Sequence, residues 1–217
     1  MARTRSRPIP AGQISVTHAW IWLGAQCVVG LIAVTQLPSA ALIVAFCSIP
    51  FVAAYPFMKR VTWWPQAWLG ICFSWGALVA GAAADGTVTI DTILLFIGCM
   101  AWVIAYDTIY ALQDIEDDAL IGVRSTARLF GKNWAIWTYG FYAVAFAFWM
   151  FAANRAGGSF VTVALLAMIA ISLVGPLVNR INAASPASAL AAFKANVWVG
   201  LAVAVALGLA AMGWTKF

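Results

Sequence analysis

Five of the seven acidic residues in this chain fall within one segment, "YDTIYALQDIEDDALIG", as Asp107, Asp114, Glu116, Asp117 and Asp118. If that segment is helical, a turn of 100° per residue puts Asp114 about 20° from Asp107 and Asp118 about 20° to the other side, while Glu116 faces away. Three carboxylates on one stripe repel one another unless a divalent cation or arginines lie between them. An all-oxygen set of this kind suits Mg2+, which commonly takes one or two carboxylates together with substrate phosphates. Basic residues are available to complete such a site: Lys59 and Arg60 in "YPFMKR", then Arg124, Arg128 and Lys132 after the acidic segment. Carboxylates holding a metal beside lysine and arginine form a cradle for diphosphate, whose oxygens accept both metal and charge-assisted hydrogen bonds. The plainer alternative is a solvated acidic loop, with basic residues that serve only topology. The shared face and the scarcity of acids elsewhere weigh against it.

The elements that must position these residues are membrane helices. Of 217 residues, 65% are apolar and 9% charged, against about 25% charged in soluble domains. Apolar runs of about 20 residues recur along the chain, each long enough to cross a hydrocarbon core about 30 Å thick. Runs such as "AALIVAFCSIPFVAAYPF" are apolar on every face, unlike the alternating strands of a membrane barrel. The expected fold is all-α, a multi-pass transmembrane helical bundle forming a single domain over 1–217. Its spans are expected near 14–35, 38–58, 65–84, 90–112, 134–153, 159–178 and 193–214, with the polar stretch 113–133 as a long break.

Lys and Arg counted on alternate loops place Arg3, Arg5, Arg7, Lys59, Arg60, Arg124, Arg128, Lys132, Arg180 and Lys194 on one side. Only Arg155 and Lys216 fall on the other, ten against two. The positive-inside rule then sets the N-terminus and the acidic segment in the cytoplasm and the C-terminus outside. Because the basic residues are spread over short loops, the charge of +5 does not point to nucleic acid. Cys27, Cys47, Cys72 and Cys99 lie in apolar runs without a CxxC pair and read as packing residues. His18 has no acidic neighbour and reads as structural. Trp63 and Trp64 read as an interface belt, and Asp85 and Asp91 as loop residues of the opposite side.

Five pieces, in order along the chain, resemble the UbiA family of membrane prenyltransferases. "RTRSRPIPAG" is similar to the family's RTxxRPxPxG loop, and Tyr55 to Lys59 matches its YxxxK pattern. "PQAWLGICFSWG" resembles the span that follows, "AYDTIYALQDIEDDALIGVRSTARLFG" the second Asp-rich motif, and "FKANVWVGL" the start of the last helix. The resemblance implies a Mg2+-dependent transfer of a polyprenyl group from polyprenyl diphosphate to an aromatic ring. The "YDTIYA" form points within the family to 4-hydroxybenzoate as the acceptor, in ubiquinone biosynthesis. It further implies that Asp114 and Asp118 bind the metal and diphosphate, with Asp107 supporting, and that Lys59 holds diphosphate. Tyr55, Arg60, Arg7 and Arg124 join the substrate-binding set, Arg60 facing either diphosphate or the hydroxybenzoate carboxylate. An integral protein of a bacterial inner membrane is expected, with lipid around it.

One departure stands beside the resemblance. The family carries a first Asp-rich motif, NDxxDxxxD, and two more helices ahead of the RTxxRP loop, so the expectation is a chain whose start at Met1 falls late. Two rival readings follow: a non-catalytic truncated homologue, and a transporter or channel subunit with a carboxylate ion site. The latter requires carboxylates near the bilayer midplane.

Overall fold

The computed structural model describes residues 7–212; Arg3, Arg5 and Lys216, which entered the charge count, lie outside the described residues. Among the described residues, seven helical stretches are long and apolar enough to cross a membrane: Val16–Val34, Ser39–Val61, Pro65–Asp85, Ile90–Leu120, Thr126–Arg155, Phe160–Asn179 and Pro186–Ala211. The fold is the expected all-helical integral membrane architecture, with the expected number of spans.

Helix α1 (Val16–Val34) begins where the Ser15 hydroxyl accepts the His18 amide, a cap that satisfies one orphan donor of the first turn. The His18 ring lies 2.7 Å from the same hydroxyl, so this histidine completes the helix start. No residue of α1 is buried. A helix apolar on all sides needs no protein cover in hydrocarbon.

The second span is broken into α2 (Ser39–Cys47), α3 (Ile49–Ala54), a 3-10 turn at Tyr55–Phe57 and α4 (Met58–Val61). Pro50 and Pro56 supply no amide hydrogen. Carbonyls in a bilayer need donors, and α5 (Pro65–Asp85) adds two indole donors to this broken span. Trp75 donates its indole N–H to the Val44 carbonyl at 2.8 Å, and Trp68 to the Phe51 carbonyl at 2.7 Å.

The centre of the molecule is α6 (Ile90–Ala111), packed between α5 and α9 (Trp134–Arg155). Ala101, Ala105 and Ile109 of α6 meet Tyr142, Phe146 and Trp149 of α9 in the buried core. Gly98 permits this approach: a Cβ there would lie 2.6 Å from the Trp149 ring and 3.1 Å from the Ala145 carbonyl, the close small-residue contact typical of membrane helices. The chain finishes with α10 (Phe160–Ile169), a π-helical turn at Ala170–Val174, α11 (Gly175–Asn179) and α12 (Pro186–Ala211).

Two boundaries differ from expectation. The stretch 113–133 is mostly helical: after a 3-10 turn at Leu112–Asp114 come α7 (Ile115–Leu120), α8 (Thr126–Phe130) and a second 3-10 turn at Gly131–Asn133. Polarity here reflects a water-facing helix end, and the real break is the turn at Gly122, whose φ of 72° suits glycine. The last span begins at Pro186, not at 193, because Ser185 caps it and proline fits a first helical turn. Lys194 therefore sits in the third turn of α12, not in a loop. It is exposed, with a stem long enough to carry its ammonium towards the interface.

Candidate active site

One end of the bundle gathers α4, the start of α5, the end of α6 and the helices α7 and α8. Asp114 closes the 3-10 turn after α6 and Asp118 lies one helical turn further on, so both carboxylates point inward. Asp114 is 5% exposed and Asp118 fully buried, whereas Glu116 is exposed. The tightened turn thus preserves the facing that an unbroken helix predicted. Asp107, half-buried, sits a little under two turns deeper on α6.

Lys59 reaches this stripe from the second span. Its ammonium lies 3.1 Å from Asp118 Oδ2 and 3.4 Å from Oδ1. It is also within Coulombic reach of Asp107, and so is the half-buried Tyr55 of the preceding turn. A buried carboxylate is tolerable in such surroundings only when paired. Arg128 closes the other side of Asp118, donating through Nη1 to the carbonyls of Asp118, at 3.3 Å, and Val123. Arg124 donates its amide to the Lys59 carbonyl at 2.8 Å and Nη1 to the Val61 carbonyl at 2.7 Å. Both guanidinium groups lie over the Trp63 ring, 5.7 Å away for Arg124 and 5.3 Å for Arg128. Trp63 therefore does more than mark an interface; it stacks the two arginines beside the site.

The remaining expected residues are not gathered in. Arg60 is exposed, and so is Arg7 ahead of α1. At the opposite end of the bundle Asp91 pairs with Arg155 at 2.5 Å, so Asp91 has a partner and is not merely a loop residue.

The chain matches the description "UbiA prenyltransferase family" over residues 1–199. It belongs to that family. It is 46% identical over 142 residues to the mitochondrial 4-hydroxybenzoate polyprenyltransferase of Aedes aegypti, covering 65% of this chain and 32% of that protein. It is 37% identical over 206 residues to 4-hydroxybenzoate geranyltransferase 2 of Lithospermum erythrorhizon, covering 91% of this chain and 65% of that one. It thus spans less than two thirds of either relative. The apo structure of a UbiA homolog from Aeropyrum pernix K1 shares the fold, with a TM-score of 0.78 at 22% identity over 96% of this chain and 78% of that one.

The UbiA family generally uses Mg2+, and the residues of this end can be tested against that ion. No group of three or more histidine, cysteine, aspartate or glutamate side chains converges on one point among the described residues. Asp107, nearly two turns from Asp114 along the chain, therefore forms no three-carboxylate group with Asp114 and Asp118 among the described residues. Asp114 and Asp118 still offer the hard oxygen pair that Mg2+ takes beside phosphate oxygens. A cation, the Lys59 ammonium, already rests against Asp118. The donor chemistry fits.

Three residues at this UbiA end escape a reading of charges: Gln66, Thr108 and Thr126. All are buried and hydrogen-bonded to one another's segments. Gln66 carried a signal, as an amide inside an apolar span, and Thr108 carried one as the neighbour of Asp107.

Proposed function

We propose that this UbiA-family protein transfers a polyprenyl group from polyprenyl diphosphate to the ring of 4-hydroxybenzoate, ortho to the hydroxyl, in ubiquinone biosynthesis. The observation that carries the reading is the ion pair of Lys59 with fully buried Asp118, set among Asp114, Arg124 and Arg128 at one end of the bundle. The names of the Aedes and Lithospermum relatives support the acceptor.

Asp114 and Asp118 would hold Mg2+, with Asp107 supporting them through the shared lysine. When bound, the ion would neutralise charge developing on the departing diphosphate. Lys59 donates to the diphosphate oxygens as the allylic carbon–oxygen bond breaks, because an ammonium fixed in place beforehand stabilises that charge without reorganisation. Arg124 and Arg128 set the loop behind it, Tyr55 borders the acids, and Arg60 and Arg7 meet the bound substrates from the exposed side. The electron-rich ring carbon attacks the allylic carbon and the ring then loses a proton. The prenyl tail needs an apolar wall. Trp102, Tyr106 and Phe193 supply one, with ring centroids 5.1 and 5.7 Å apart in sequence beside a cavity of about 230 Å3, and aromatic faces stabilise a passing allylic cation.

The proposed location is a bacterial inner membrane, with the site on the cytoplasmic side; the ten-against-two distribution of Lys and Arg supports that direction. A test in membranes follows radiolabelled polyprenyl diphosphate into 4-hydroxybenzoate with and without Mg2+. Transfer that needs Mg2+ and is lost in Asp114→Ala is expected. Transfer that survives both changes refutes the assigned site, and none by wild type refutes the acceptor.

A further inference from the structure

We infer that Thr108, Thr126 and Gln66 are positioning residues, a buried hydrogen-bonded belt that holds the Arg124–Arg128 segment in register with Lys59 and the carboxylates. Gln66 is 1% exposed, and Thr108, Ser125 and Thr126 are fully buried. The Thr108 hydroxyl donates to the Ile104 carbonyl at 2.6 Å. A hydroxyl has one proton to give, so in the 2.7 Å contact between Thr108 and Thr126 the donor is Thr126. The amide of Thr126 in turn donates to Gln66 Oε1 at 3.0 Å. Two residues earlier, Arg124 is fastened to the carbonyls of Lys59 and Val61. Residues 124–126 therefore tie α4, α5 and α6 together within three positions.

The hydrogen bonds of the belt named above run to one another and to a backbone carbonyl, not to a carboxylate. Each belt residue lies on a segment that carries a charged group of the site: Thr108 follows Asp107, Thr126 sits between Arg124 and Arg128, and Gln66 is in the first turn of the helix that follows Lys59 and Arg60. Valine would fill the same space as threonine, so packing alone does not call for hydroxyls here. What hydroxyls add is direction, because a hydrogen bond fixes the position of both partners where an apolar contact lets a segment slide. In the membrane these groups also have no water to turn to. The belt thus sets the distance between Lys59 and the acidic stripe that diphosphate binding uses.

The kinetic arm of the test rests on the prenyl-transfer reading; the other two arms do not. Hydrogen exchange in Thr108→Val is expected to rise roughly tenfold across 119–131, and the affinity for inorganic pyrophosphate with Mg2+ to fall roughly tenfold. Transfer should fall in kcat more than in KM for the prenyl diphosphate. Thr108→Ser, which keeps the hydroxyl, should restore all three, a rescue that a packing role would not give. Should Thr108→Val fail to fold, Thr126→Val serves, since it leaves the Thr108 bond to Ile104 in place. Unchanged exchange and pyrophosphate affinity within about twofold of wild type would overturn the belt while leaving the transfer reading intact. The expected exchange and binding changes in a protein whose wild type transfers nothing would uphold the belt and sink that reading.

Discussion

Lys59 serves two negative partners. In the structure its ammonium pairs with Asp118; in the proposed reaction it also meets diphosphate. The lysine side chain is 41% exposed, so screening by water limits what the pair adds to stability, whereas a transition state gathers more charge at the same point. Lys59→Met nonetheless leaves the buried Asp118 without its cation, so a cost of about 1–3 kcal/mol is expected in thermal or denaturant unfolding, less than for a pair buried on both sides. In protein that remains folded it should lower transfer by at least about a hundredfold, and transfer per folded molecule within about twofold of wild type would show the lysine to be structural alone. Asp91 and Arg155 form the contrasting case, a pair with side chains 38% and 43% exposed at the far end. Arg155→Ala is expected to change stability by less than about 1 kcal/mol and transfer not at all. Lys59, Asp114 and Asp118 could be read from the sequence because charges are rare in an apolar chain and their spacing is legible. Thr126 could not, and Thr108 only as the neighbour of Asp107: uncharged hydroxyls are ordinary in membrane helices, and only the fold shows that these two meet.

Elements set where those side chains stand, and the broken second span is the clearest instance. The helix pieces α2, α3 and α4 lack the regular hydrogen bonds that prolines interrupt, and α4 carries Lys59. Two indole donors on α5 hold the pieces in place. Trp75→Phe keeps the ring and removes the donor to Val44, so a loss of about 1 kcal/mol is expected. Trp68→Phe acts nearer to Lys59 and should also weaken pyrophosphate binding, measurable by titration of the detergent-solubilised protein. At the packed centre, Gly98→Val would push a side chain into Trp149 and is expected to cost about 1–3 kcal/mol. Span centres were legible from apolar runs, but helix ends were not. The segment 113–133 read as a break because polarity was taken for irregularity, although acids on a water-facing helix end are equally polar. The start of α12 was missed because Ser185 and Pro186 also look like loop residues when no cap geometry is in view.

At the scale of the molecule, contacts across the bundle decide which loops share an end, whatever the direction in the membrane. Lys59 with Asp118 and Arg124 with Val61 place the loops after the second and fourth spans together. Asp91 with Arg155 places the loops after the third and fifth spans at the other end. The proposed direction rests on the Lys and Arg distribution and would put the acidic site in the cytoplasm. In the proposed reaction that direction matters chemically, because the site would have to open to the side from which both substrates and Mg2+ arrive. It can be read in intact bacterial cells with a membrane-impermeant maleimide, on a background in which Cys27, Cys47, Cys72 and Cys99 are replaced. Ala156→Cys, exposed between α9 and α10, should label from outside. Lys132→Cys, exposed beside the site, should label only after the membrane is opened. The reverse pattern would turn the carboxylates and Lys59 outward, and a cytoplasmic supply of prenyl diphosphate could then no longer reach them.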